Sequence, residues 1–576
     1  MLVTGLLAPV VEGVSVSWGR CAMSTKWERG ERAGMRHQGV PLAAGSFPVS
    51  GGDARHPGRA VAKEGTLAVA GPPDPSAAPL MLGFGAWALA AGTVFSSTGS
   101  RTLFGLDEGI YLSGATRALA GSLPYRDFLS FVGPTVFLEY AAALGLDHSL
   151  LAAHFVLAVV IGLTSGVIVY LSATGAERLL RAAAAAALGT LLWLGELQFW
   201  PNKIYVNHRW ECTAMTLAAL ALASVALHRQ SRRTAIFAGC ALGMAATYTP
   251  SAVLFAGALV GYLILRGGRK LIVAMGCGFA IPLLAMAVWL LPTRSMGPFF
   301  GDMAWAFQHY PQPNAAPYGY AGVGAAQMAA WLTRHSVAHL LAFRTTAALP
   351  VVAGALLLVS LIVHRSREYV GLLLVLGATV AMLTPRFSAD QLLFASPIAI
   401  YCIAHSVLEL GRTKRWILYA AGVVGLASAG LLFAESKGPP SRVTEVRTAL
   451  GMVICRPGDA AQLQPILDRV GTEDSLFVYP YFPLLYALTG ARNPTSYLFV
   501  QPGMMDDDDM VKVARELLGD LPKYIVHVPL PEAAIRRNWP GTQRITSTSP
   551  IDGVVAEHYR LDIRIPPQGV EVFVRK

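Results

Sequence analysis

Long apolar runs separated by short basic or polar stretches dominate this chain from residue 80 to residue 434. About 20 residues of apolar helix cross the ~30 Å hydrocarbon core of a bilayer. Backbone polar groups in that core find no water, so such runs must fold as helices. Eleven candidate spans can be read: Leu80–Ser96, Leu150–Ala173, Leu179–Leu197, Cys212–Leu227, Thr234–Thr249, Ser251–Leu265, Leu271–Leu291, Ala347–Val363, Tyr369–Leu383, Gln391–Leu408 and Trp416–Ala434. The fifth and sixth meet at Tyr248-Thr249-Pro250, and their outer ends, His228–Arg233 and Arg266–Lys270, are both basic. Cytoplasmic loops are the ones enriched in Lys and Arg, so both ends belong inside, and only a hairpin meets that condition.

Charge distribution gives the orientation. Charged residues make up 14% of the chain, against roughly 25% in soluble domains, and hydrophobic ones 54%. With the N-terminus inside, the inner loops carry 13 Lys and Arg against three Glu, which places the C-terminal part outside. The net charge of +11 is thus a topology signal and needs no nucleic-acid partner. Six scattered cysteines without a C-x-x-C pair imply neither a disulfide framework nor a zinc site.

The fold class that follows is a polytopic α-helical membrane protein of about 11 transmembrane helices with a small extracytoplasmic α/β domain at its C-terminus. Residues 1–79 read as a disordered cytoplasmic extension, or as upstream sequence before a start near Met81. The membrane domain covers 80–434, with long outer segments at 97–149 and 292–346 whose apolar helices are too short to span and are expected to lie at the interface. From 435 to 576, strand-like SLFVYP, KYIVHV and VEVFVRK alternate with helical segments. Asp506–Asp509 invite comparison with a calcium site, but acids at a helix N-terminus also meet the positive end of its dipole, and that is the reading adopted.

Functional side chains concentrate in the first outer segment. Asp107 and Glu108 open a helix, and Tyr125, Arg126 and Asp127 follow in a turn. Asp is among the best N-cap residues, so Asp107 has a purely structural reading. That reading is compatible with a base, because a helix N-terminus favours the ionised carboxylate. Adjacent helical residues do not share a face, so Asp107 and Glu108 have different jobs. A second outer loop, Phe199–Glu211, interleaves Lys203, His208 and Arg209 with aromatics; it suits an interfacial belt or a lipid head group. Arg386 begins a further span on the same side. Asp107, Glu108, Asp127, His208 and Glu211 could ligate a divalent metal, though no spacing is diagnostic, and His335 and His339 sit one helical turn apart.

The first span, the Asp-Glu pair, the Gly121–Phe128 stretch (G-x-L-P-Y-R-D-F) and the Pro134-led helix together resemble the first periplasmic loop of bacterial GT-C membrane glycosyltransferases. That group includes the protein mannosyltransferases and the lipid A aminoarabinose transferase. Leu484–Gly503 is similar to the extracytoplasmic end of many bacterial members. The resemblance implies transfer of a sugar from a polyprenyl-phosphate carrier to a glycan, lipid or protein acceptor on the outer face of the plasma membrane, usually with inversion. It puts the catalytic base on Asp107, likens Arg386 to an Arg that approaches the carrier phosphate, and leaves a divalent metal as an option rather than a requirement; by their side of the membrane, Arg126, Lys203 and Arg209 join Arg386 as candidate cations for that phosphate. A phosphate leaving group needs no general acid, so one base and a set of cations suffice. The rival reading is a carrier or flippase for a polyprenyl-linked sugar, which would use intramembrane charges and repeated halves.

Overall fold

The computed structural model describes residues 77–97, 102–103, 107–174, 179–320, 337–413, 415–436, 442–543, 549–567 and 569–576. Nearly all of the expected N-terminal extension, and His335, lie outside them. Every candidate span lies on a helix: α1 Ala77–Ser97, then after the outer helices α2 Glu108–Leu119 and α3 Thr135–Leu146, α4 Leu150–Thr174, α5 Leu179–Phe199, α6 His208–Arg229, α7 Arg232–Tyr248, α8 Val253–Leu265 and α9 Arg269–Leu290. The outer helix α10 Met296–His309 precedes α11 Val337–His364, α12 Arg367–Ala381, α13 Ser396–Thr413 and α14 Arg415–Ala434. Among the described residues, five of these helices are long and apolar enough to cross a membrane.

Local chemistry sets the boundaries. Asn207 caps α6 by accepting the Arg209 N–H at 3.0 Å, Ser231 caps α7 and Ser366 caps α12. Pro250 lacks an N–H and cannot continue α7, so α7 and α8 are two helices, as the basic ends require. The last boundary differs from expectation. Residues Ala389–Leu392 form a separate helical turn, whose Asp390 pairs with Lys203, and α13 begins only at Ser396.

The C-terminal part holds a hairpin, β1 Thr444–Thr448 with β2 Gly451–Cys455, and, after α15 Pro457–Leu467, a four-stranded sheet. Strand β3 Leu476–Tyr479 is followed by the short helix α16 Leu484–Thr489 and by α17 Asp507–Gly519; then come β4 Tyr524–His527, α18 Pro550–His558, β5 Tyr559–Ile565 and β6 Val570–Arg575. The sheet order is β3-β4-β6-β5, with β3 and β4 parallel and the other pairs antiparallel. Asp506 caps α17 by accepting the Asp509 N–H at 2.9 Å, the helix-terminus role read from the acidic run.

One hydrophobic core runs from the bundle into this sheet domain, and α2 is where they join. Expected at the lipid interface, α2 is instead buried from Glu108 to Ala115, between α3 and α16. Gly109 makes this approach feasible: a Cβ there would lie 1.9 Å from the Leu484 backbone nitrogen. The Ser113 hydroxyl donates to the Pro483 carbonyl at 2.8 Å and Arg117 donates to the Thr495 carbonyl at 2.8 Å. Both bonds hold the C-terminal domain directly on the first outer segment.

Asp302 of α10 adds a second tie by accepting the Ser130 N–H at 2.9 Å. Burial raises its carboxyl to about 7, against smaller opposing effects of that N–H and of Lys512. The folded protein therefore holds this proton up to near neutrality, whereas an unfolded Asp loses it near pH 4, and stability falls as pH rises across that window. Asp302→Asn keeps the acceptor and removes the titration. Its melting temperature should exceed that of the parent at pH 8 and approach it near pH 4, which thermal unfolding at the two pH values will measure.

Candidate active site

Asp107 immediately precedes the first residue of α2, yet its side chain caps nothing. One carboxyl oxygen accepts the Tyr481 hydroxyl at 2.7 Å and the other accepts the Tyr205 hydroxyl at 3.2 Å. Tyr205 comes from the loop between α5 and α6, and Tyr481 from the segment linking β3 to α16. Burial, reinforced by the facing Asp107, pushes both phenols well above the usual tyrosine range, so both remain donors. Tyr481 is held edge-on by Phe499 and Trp539, with ring centroids 5.5 and 5.1 Å away. The structural N-cap reading of Asp107 is therefore not the role its side chain takes.

Glu108 turns the other way. It is fully buried, with one oxygen 2.8 Å from His154 Nε2 and accepting the Val206 N–H at 3.0 Å. Val206 follows Tyr205, so Glu108 anchors the loop that carries an Asp107 partner. Tyr111, one helical turn beyond Asp107, has its hydroxyl 2.8 Å from Nδ1 of the buried His208.

Cations gather on the opposite side. The Lys203 ammonium lies 2.8 Å from Asp390, and Arg386 acts electrostatically on the same carboxylate. Burial by itself would raise the Asp390 carboxyl, but Lys203 and Arg386 hold it well below the usual carboxylate range. Burial likewise opposes the Arg386 charge, and Asp390, followed by Tyr310, Asp107 and Tyr205, outweighs it and raises the guanidinium. Backbone pairing fixes the Arg386 turn: Ala316 N–H donates to the Pro385 carbonyl at 3.2 Å and Phe387 N–H to the Ala316 carbonyl at 3.1 Å. Arg209 lines a narrow, mostly apolar cleft whose wall also holds Thr213, Thr249, Thr379, Phe394, and Met382 and Leu383 just ahead of that turn.

The structure thus links Asp107 with Arg386 electrostatically, Asp107 and Arg209 through Tyr111, which His208 also meets, and Lys203 with Arg386 through Asp390. Tyr125, Arg126 and Asp127 do other work. The Tyr125 hydroxyl donates to the Val132 carbonyl at 2.7 Å, and the exposed Arg126 forms a bidentate pair with Asp127 at 2.8 and 2.7 Å. Tyr205, Tyr310, Asp390 and Tyr481 escaped the sequence reading. Tyr205 sits inside the Phe199–Glu211 loop and Asp390 four residues after Arg386, but nothing in the sequence links Tyr481 to Asp107, 374 residues away.

The proposed metal ligands do not assemble into one set. Glu108 is committed to His154 and Val206, Asp127 to Arg126, and Glu211 accepts the Tyr140 hydroxyl at 2.6 Å. Among the described residues, the one group with ligand atoms within 4.8 Å of one another is His309, Asp506 and Asp509. Its carboxylates already accept from Trp305, Tyr497 and the Asp509 N–H. The chemistry below therefore uses no metal-dependent step.

No protein-family model matches the sequence, and neither does any curated protein. Among solved structures, the chain is similar to ArnT from Cupriavidus metallidurans bound to undecaprenyl phosphate, with a TM-score of 0.50 and 14% identity over 86% of this chain and 98% of that one. It is also similar to the oligosaccharyltransferase AglB from Archaeoglobus fulgidus in complex with an inhibitory peptide and a dolichol-phosphate, with a TM-score of 0.49 and 12% identity over 86% of this chain and 74% of that one. The fold is the GT-C-like one expected from the first outer segment.

The Lys203–Asp390–Arg386 group makes a stability prediction. Asp390→Asn leaves two cations facing a neutral amide and should destabilise by about 3–5 kcal/mol, the cost of breaking a buried ion pair. Adding Lys203→Met should recover part of that loss. Thermal unfolding of the single and double variants in one detergent measures both.

Proposed function

We propose that this chain is a membrane glycosyltransferase that moves a sugar from a polyprenyl-phosphate carrier to an acceptor on the outer face of a bacterial plasma membrane, with Asp107 as general base. The observation that carries the reading is the orientation of Asp107: two phenols from separate segments hold its oxygens away from its own helix terminus. Each carboxylate oxygen has two acceptor sites, so one tyrosine bond apiece leaves capacity for an acceptor hydroxyl. The shared fold with a protein crystallised with undecaprenyl phosphate supports the donor class.

In this reading the acceptor oxygen attacks the anomeric carbon, its proton passes to Asp107, and the bond from that carbon to the phosphate oxygen breaks. Attack from the face opposite the phosphate inverts the anomeric centre. Lys203 and Arg386 share one carboxylate, which leaves positive charge to receive the carrier phosphate. Arg386 supplies a planar fork for two phosphate oxygens, and Arg209, which acts with Asp107 on the same Tyr111, adds a further cation. Glu108 and His208 act as positioning residues, through the Val206 loop and Tyr111 respectively. Arg126, occupied by Asp127, is left out of the donor site.

Asp107→Asn should lower release of polyprenyl phosphate from its sugar conjugate by about 10²–10⁴-fold, the usual range for a lost general base, while binding of polyprenyl phosphate persists. Arg386→Ala should weaken polyprenyl phosphate binding by about 10- to 100-fold, as expected for lost charged hydrogen bonds. Full turnover in Asp107→Asn rejects the base assignment. Movement of the intact conjugate across proteoliposomes with no transfer product, in the parent protein, selects the flippase reading instead.

A further inference from the structure

A second cavity, of about 780 Å³, opens in the C-terminal domain, within the range of small-ligand sites. Tyr479 and His527, which line it, are the last residues of the parallel strands β3 and β4. In open α/β sheets, the crevice beyond the carboxyl ends of parallel strands is where ligands bind, because the loops part there and helices start. Here α17 and α18 both begin at the rim, and their first turns contribute Asp506, Asp507 and Asp552 to the wall.

The lining chemistry is selective. The Tyr479 and His527 rings lie 4.9 Å apart and form an aromatic wall. The Tyr479 hydroxyl donates to Asp552 at 3.1 Å, which holds a carboxylate beside the ring. Gln312 and Gln501 add amides that both donate and accept. Aromatic faces suit the C–H faces of a sugar ring, and carboxylates and amides suit its hydroxyls. The described lining carries the carboxylates Asp506, Asp507 and Asp552, a balance that favours neutral and amine-bearing ligands over phosphate and uronate groups.

One short segment connects the cavity with the proposed reaction centre. Tyr479 forms its wall, and Tyr481, two residues and at most about 7 Å of chain further on, donates to Asp107. We propose that this cavity binds the acceptor, a neutral or amine-bearing oligosaccharide, and lines up its terminal hydroxyl with Asp107; the proposal rests on the transferase reading above.

The test uses full-length protein in nanodiscs and an array of neutral, amine-bearing and uronate oligosaccharides, with short peptides alongside. Binding should be confined to the neutral and amine-bearing glycans. Asp552→Asn and Asp507→Asn, which keep side-chain size, should each weaken it at least fivefold, and Asp507→Lys should abolish binding of amine-bearing glycans. Polyprenyl phosphate binding, measured on the same preparations, should match the parent in all three. Absence of glycan binding, binding of uronates or peptides instead, or unchanged affinity in the Asp variants overturns the acceptor assignment. Failure of the parent protein to bind polyprenyl phosphate overturns the transferase reading separately.

Discussion

Two phenol hydroxyls closing on the oxygens of Asp107 are the contact on which the arrangement of this molecule depends. One comes from the loop after α5 and the other from the sheet domain, so a single carboxyl joins three parts of the chain. The bonds require α2 to be buried between α3 and α16, and that burial requires Gly109 where the Leu484 backbone passes. They also require the Tyr205 loop to stay in place, which Glu108 secures through Val206. A helix that appeared to float at the lipid surface is in fact the hub of the structure.

The cations obey a related logic. Lys203 and Arg386 belong to segments far apart in sequence, and each would be costly to bury unpaired. Asp390, on the separate turn Ala389–Leu392 ahead of α13, pairs with Lys203 and acts electrostatically on Arg386. Because one carboxylate faces two cations, it cancels only one of their two charges. Arg126 shows the contrary case: an Arg that pairs one-to-one with its neighbour on an exposed turn has no charge left to offer.

The helical segments were legible because the bilayer imposes their length and forbids unsatisfied backbone, and the α7–α8 break was legible from Pro250 and two basic flanks. The helices and strands at SLFVYP, KYIVHV, VEVFVRK and the acidic run also appear where their patterns put them. Strands β1, β2 and β5 went unread, although Tyr559–Ile565 alternates apolar and charged residues along its whole length. Asp107, Lys203 and Arg386 stood out as charges on the outer side of an apolar chain. Tyr205, Tyr481 and Asp390 did not stand out, because an interfacial tyrosine and a catalytic-site tyrosine have the same side chain and similar neighbours in sequence.

Periodicity and composition alone determined that this is a multi-helix membrane chain with a small α/β domain after its last long apolar helix, because desolvation of backbone and charge acts on every segment separately. Which acids face a common space, which cations keep unspent charge, and which tyrosine closes on Asp107 were decided only when α2 packed against α16. Those outcomes depend on distances between residues hundreds of positions apart, and no local pattern encodes such a distance.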